Sequence, residues 1–197
     1  MGAPRIAEPL KDMAPKLGAG VSSLPPEGAQ TALGRHGGGL TMTTDQVIHH
    51  LRRANEVARR ALALGRHPFG ALLVAPDGET VLAEQGNVDT VNHAESTLAR
   101  TAATNFTAEF LWHCTLVTTV EPCAMCAGTQ YWANIGRLVY GMTERRLLEL
   151  TGNHGENPTL DLPCRSVLAA GQKSIEVIGP VPEVEPAIAA LHINFWK

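Results

Sequence analysis

The chain has 197 residues, 44% hydrophobic and 18% charged, which suffices for one domain with a sizeable core and falls short of two. A net charge of −3 speaks against a protein built to grip a phosphate backbone. No apolar run approaches the roughly 20 residues of a membrane helix, and no export signal is evident, so the four cysteines are expected as reduced thiols or metal ligands in a cytoplasmic protein.

Residues 1–42 are rich in Gly, Pro and Ala, with Pro25-Pro26 and Gly37-Gly38-Gly39 and no sustained period. They read as a disordered leader or an appended extension, with at most a short helix over 6–17. The folded domain is expected over 43–197. Thr43 and Gln46 resemble a capping box, and Val47, Leu51, Ala54, Ala58, Ala61 and Leu62 then recur at helical spacing as far as Gly65. Arg52, Arg53, Arg59 and Arg60 on this helix read as a solvated face in preference to a nucleic-acid stripe. A strand is expected over 68–74, closed by Pro76-Asp77-Gly78, and a second over 80–86. A helix from 93 to about 104, a buried strand over 116–120, a helix over 123–133 and a strand over 137–141 follow. The pattern continues with a helix over 143–150 and a loop from Gly152 to Pro163. A short helix over 165–170, a strand over 174–178 and a last helix from about 184 complete it. Strands alternating with helices predict an α/β fold, a three-layer α/β/α sandwich containing parallel pairs.

Two segments carry chemistry: His93-Ala94-Glu95, and Glu121-Pro122-Cys123-Ala124-Met125-Cys126. Each lies where a strand or loop gives way to a helix, so two helix starts can face each other across a cleft. Cys123 and Cys126 share one face of a first helical turn, whose exposed amides favour thiolate over thiol. One imidazole and two thiolates make three ligands, whereas a structural zinc site closes with four. The open position suits a water, whose pKa zinc lowers from about 15.7 to roughly 7. Glu95, on the same turn as His93, can reach that water without ligating the metal and carry its proton to a ring nitrogen and a leaving amine. A purely structural site would need a fourth ligand, for which Cys164 and His154 are the available side chains.

H-x-E followed by P-C-x-x-C resembles the signature of zinc nucleobase deaminases. The fuller string from Glu121 to Gly128 resembles the cytidine deaminase-like superfamily, in the branch of guanine deaminases and tRNA adenosine deaminases. Pro68-Phe69-Gly70-Ala71, Gly86-Asn87 and the stretch from Ile135 to Gly141 are similar to that branch as well. The resemblance implies a five-stranded mixed sheet flanked by helices, one zinc per subunit and a homodimer. It also implies that Asn87 hydrogen-bonds a base, that the backbone around Ala94 reads a ring edge and that Phe69 belongs to the substrate pocket.

The implied substrate is a small amino-substituted heterocycle, first a purine base or nucleoside such as guanine or guanosine. A tRNA adenosine, cytosine or an aminotriazine are the alternatives. Members acting on tRNA commonly continue past the Tyr-Gly strand with a Gly-Ala-rich stretch, whereas Met142-Thr143-Glu144-Arg145-Arg146 here leads into the long loop. With an acidic balance over 43–197, this favours a small free substrate. His154 and Glu156 in the loop either contact the substrate's amino group or face solvent. Phe195 and Trp196 either close the pocket, as the C-terminal segment does in guanine deaminases of the family, or pin the last helix to the core. Cys114 and Cys164 read as small buried hydrophobes.

Overall fold

A computed structural model describes residues 42–152, 154–193, 195 and 196. The leader expected over 1–42 lies outside these residues except for Met42, and the helix over 6–17 lies wholly outside them. The chain enters its first helix, α1 (Thr44–Ala63), through the expected capping box. The Gln46 amide donates to Thr43 Oγ1 at 3.3 Å, and the Thr43 amide donates to Gln46 Oε1 at 2.8 Å. Arg53 and Arg60 of α1 pair with Glu84, and Arg59 pairs with Glu56. Three of the four arginines of the basic stripe are thus met by carboxylates of this chain.

Two strands follow, β1 (Gly70–Val74) and β2 (Val81–Gly86), joined by the turn at Gly78. Gly70 lets β1 lie against α1, since a Cβ there would fall 2.3 Å from the Ala54 carbonyl oxygen. Next come α2 (Ala94–Asn105), α3 (Ala108–Trp112), β3 (Thr115–Val120), α4 (Ala124–Trp132) and β4 (Arg137–Met142). The chain ends with α5 (Glu144–Thr151), α6 (Cys164–Ala169), β5 (Glu176–Ile178) and α7 (Glu185–His192). The sheet runs β2-β1-β3-β4-β5, antiparallel at β2/β1 and β1/β3, parallel at β3/β4 and β4/β5.

Alternation along the strands divides the core. Ala71, Leu73, Leu116 and Leu138 face one side and pack with side chains of α2, α3, α4 and α6. Leu72, Val74, Val117 and Val139 face the other and pack with α1 and α7. The expected three layers and five-stranded mixed sheet are present. Helix α3 has no counterpart in the sequence reading, because five residues are too few to show a helical period. Its start is fixed by Thr107, whose hydroxyl accepts from the Phe110 amide at 3.3 Å. No helix among the described residues is long and apolar enough to cross a membrane.

Candidate active site

The parallel pair β3/β4 has its carboxyl ends at residues 120 and 142, and the segments that follow each of them meet there. His93 is the N-cap of α2 and Cys123 the N-cap of α4; both have extended backbones and neither side chain caps its own helix. Their side chains therefore turn toward each other. His93 Nδ1 lies 3.6 Å from Cys123 Sγ and 3.5 Å from Cys126 Sγ, and all three ligand atoms fall within 4.8 Å of one another. His93 Nε2 sits 3.1 Å from the Thr90 carbonyl oxygen. A proton donated there leaves the Nδ1 lone pair directed at the thiols, the arrangement metal-binding histidines use.

The three groups sit close enough to share protons, which a cation bound there would displace from His93 and Cys126. Hydrogen bonding to Cys123 raises the His93 imidazole to about 9. Hydrogen bonding from Cys126 lowers the Cys123 thiol to about 4, while Cys126 is pushed up and keeps its proton. Two sulfurs and one imidazole nitrogen, converging with no fourth side-chain ligand among the described residues, fit a three-ligand zinc site. Neither available fourth ligand joins them. Cys164 is fully buried in the core, and His154 lies 5.9 Å, ring to ring, from Trp196.

Glu95 stands behind the cluster, buried, with Oε2 3.6 Å from Cys126 Sγ. Thr118 of β3 donates its hydroxyl to Glu95 Oε1 at 2.9 Å. Burial raises this carboxyl's pKa. A small recess, partly open to solvent, is lined by Phe69, His93, Glu95, Val120, Glu121, Cys123, Glu144 and Asn157.

Four of these lining residues, Val120, Glu121, Glu144 and Asn157, are absent from the sequence-predicted set. Glu144 opens α5, and burial pushes its carboxyl up to about 8, with Cys123, Glu95 and Glu121 adding to the rise. Thr143-Glu144 reads in sequence as an ordinary helix start with an acid in the first turn, so nothing local marks it. Asn157 lies next to the predicted Glu156 in the long loop. Glu156 itself turns outward, its side chain 71% exposed, and stands 3.7 Å from His67 Nε2.

The other predicted residues divide into the wall and its support. Phe69 lines the recess. Ala94 is the first, fully buried residue of α2. Asn87 is buried with its side-chain amide donating to the Asp89 carbonyl at 3.0 Å, and its Oδ1 has no hydrogen-bond partner among the described residues. Trp196 does not line the recess but backs it. Its ring lies 6.3 Å from Phe69 and 4.7 Å from His67, and its indole N–H donates to His192 Nδ1 at 3.3 Å. Cys114 is buried as expected, its thiol held up at about 12 by burial.

Comparison with known proteins agrees with this geometry. Residues 44–142 match the family model described as the cytidine and deoxycytidylate deaminase zinc-binding region. A probable cytosine deaminase of Schizosaccharomyces pombe is 36% identical over 159 residues, covering 79% of this chain and 96% of the relative. The guanine deaminase of Bacillus subtilis is 40% identical over 95 residues, 46% of this chain and 60% of the relative. A solved structure from a study of A-to-I editing by tRNA:A34 deaminases superposes with a TM-score of 0.54 at 28% identity, covering 73% of this chain and 99% of the other. These relatives differ in what is deaminated. The chain belongs to the cytidine and deoxycytidylate deaminase zinc-binding family and is a zinc-dependent hydrolase of C–N bonds in nucleobases or nucleosides.

Proposed function

We propose that the protein deaminates a free nucleobase, with a guanine-like purine as the preferred substrate. The observation that carries this reading is the lining of the small recess at the cluster, where a second acidic side chain, Glu144, stands beside Glu95. The recess is small, which suits one base better than a base carrying sugar and phosphate. Bound at His93, Cys123 and Cys126, zinc supplies a nucleophilic water at neutral pH. Glu95, oriented by Thr118, would carry the first proton of that water to the ring nitrogen and the second, from the hydroxyl added at the ring carbon, to the departing amine. Water replaces the amine at the ring carbon, giving ammonia and a carbonyl.

The remaining groups orient the ring. Phe69 offers an aromatic face to the base. Asn87 Oδ1 offers a buried acceptor, and Glu144 and Asn157 address the polar edge of a substrate bearing adjacent N–H groups. Cytosine is the second reading, favoured by the match along nearly the whole length of the S. pombe relative. The net charge of −3 and the pairing of three of the four stripe arginines weigh against tRNA.

Ammonia release from guanine, guanosine, cytosine, adenine and an adenosine-containing tRNA anticodon stem tests the assignment. Guanine is expected to give the highest kcat/KM, with the free base ahead of its nucleoside. Turnover confined to the RNA would overturn the reading. We also propose that the chain pairs with a second copy through the groove between α2 and α4, where Trp132 is 81% exposed beside Met125 and Arg100. Light scattering should then report a dimer that Trp132→Glu converts to monomer.

A further inference from the structure

Glu121 lies between the metal ligands and the residues proposed to read the substrate, and neither the metal site nor the proton shuttle uses it. Its side chain is buried, 6% exposed, two residues before Cys123. Each carboxylate oxygen accepts a backbone N–H from a different part of the chain. Oε2 takes the Glu144 amide at 3.3 Å, and Oε1 takes the Cys164 amide at 2.9 Å. Those two amides open α5 and α6, the elements that bound the long loop. One carboxylate therefore ties together both ends of the excursion from 144 to 164.

This excursion is the part of the chain that presents Glu144 and Asn157 to the recess and sends Glu156 toward His67. Its sequence is rich in turn formers, Gly152, Gly155, Asn157 and Pro158, and supplies little regular structure between α5 and α6. Its placement relative to zinc must come from its anchors. Glu121 is joined to the metal helix through Pro122 alone, so an excursion held by Glu121 is held in register with Cys123. Charge-assisted bonds from backbone N–H to a buried carboxylate are strong and directional, and losing one leaves a buried amide unpaired.

We propose that Glu121 is a positioning residue that sets substrate affinity by fixing the 144–164 excursion against the zinc site. The inference deepens the functional reading above and rests on it for the roles of Glu144 and Asn157. A carboxylate is required because two donors converge on it. A glutamine of the same shape accepts at one oxygen and turns an NH2 group toward the other amide.

The test uses two variants of the full chain that open the staple from opposite sides. Glu121→Gln spoils one acceptor. Cys164→Pro deletes one N–H at the first position of α6, where proline is well tolerated, and follows Pro163, whose ψ of 136° already suits a residue before proline. In both variants hydrogen exchange over 152–163 should quicken while exchange in α1 and β1 stays as in the wild type. KM for the preferred base should rise roughly tenfold, the loss expected for one such hydrogen bond, with kcat within about twofold and zinc content unchanged. Unchanged exchange over 152–163 would overturn the staple, whatever the substrate proves to be. Quickened exchange with an unchanged KM would overturn its role in affinity, and so would a fall in kcat with KM untouched. If the wild type turns over none of the bases, the functional reading fails, while the exchange result still decides the staple.

Discussion

The metal-binding stretch, residues 93–142, and the stretch that follows it, residues 143–196, are built on opposite plans. In the first, every chemically important side chain sits at a helix start or on the central strand β3, and each helix packs against the sheet through fully buried small residues such as Ala94, Ala99 and Ala127. In the second, short helices alternate with loop, and the groups facing the recess are held by single hydrogen bonds and ring contacts. The difference fits a division of labour. Zinc and a proton carrier need atoms fixed to a fraction of an ångström, which regular elements provide. Choosing among amino-heterocycles needs a wall that can be redrawn, and loops on a rigid scaffold are where such walls are found. Relatives named for acting on cytosine, guanine or tRNA are consistent with that plan.

The comparison can be broken at either end. The largest effect is expected from the metal: chelation, or Cys123→Ala, should bring ammonia release to background and remove zinc from the protein, read by elemental analysis on the same sample. Activity that survives loss of the metal would end the account of the first stretch. Glu144→Gln should lower kcat/KM roughly 100-fold, the range for losing a hydrogen bond to a charged or ionisable group, with full zinc content. A variant that loses zinc as well would show that the two stretches are not separable.

A smaller effect is expected from acid acting on the tail. Burial lowers His192 to about 4, against 6.5 for an unperturbed histidine. Between those values the unfolded chain binds a proton that the folded chain refuses, so stability is full above pH 6.5 and falls as pH drops toward 4. This group alone should cost about 2 kcal/mol between pH 7 and pH 5. His192→Phe should shrink the fall in Tm over that interval, and an identical fall in wild type and variant would remove the histidine from the tail's account.

How much of this was legible in the sequence follows the same division. His93, Glu95, Cys123 and Cys126 could be read because the chemistry demands those residue types at helix-turn spacing, and the helix starts themselves carry recognisable signals. The five strands could be read from apolar runs between turn residues. Glu144 could not, because an acid in a first helical turn is the commonest residue there on electrostatic grounds alone. In the loop, the reading fell on Glu156 where Asn157 is the residue in the recess, since irregular backbone has no period from which a side chain's direction can be taken. For the tail, which either closes the pocket or pins the last helix, Trp196 packs on His192 of α7 and backs Phe69 without lining the recess. Glu121 has no local signature, because the two amides its carboxylate holds are distant in sequence.

The most direct measurement for the central claim is ammonia release by Glu95→Gln, made on protein whose zinc content is determined in parallel. Glutamine keeps the shape and the contact with Thr118 but cannot carry a proton. Zinc should remain at one per chain while turnover of the preferred base falls by at least about a thousandfold, in the range of general acid–base contributions. Full zinc with undiminished turnover would show that Glu95 is not the proton carrier and that the site works by another route.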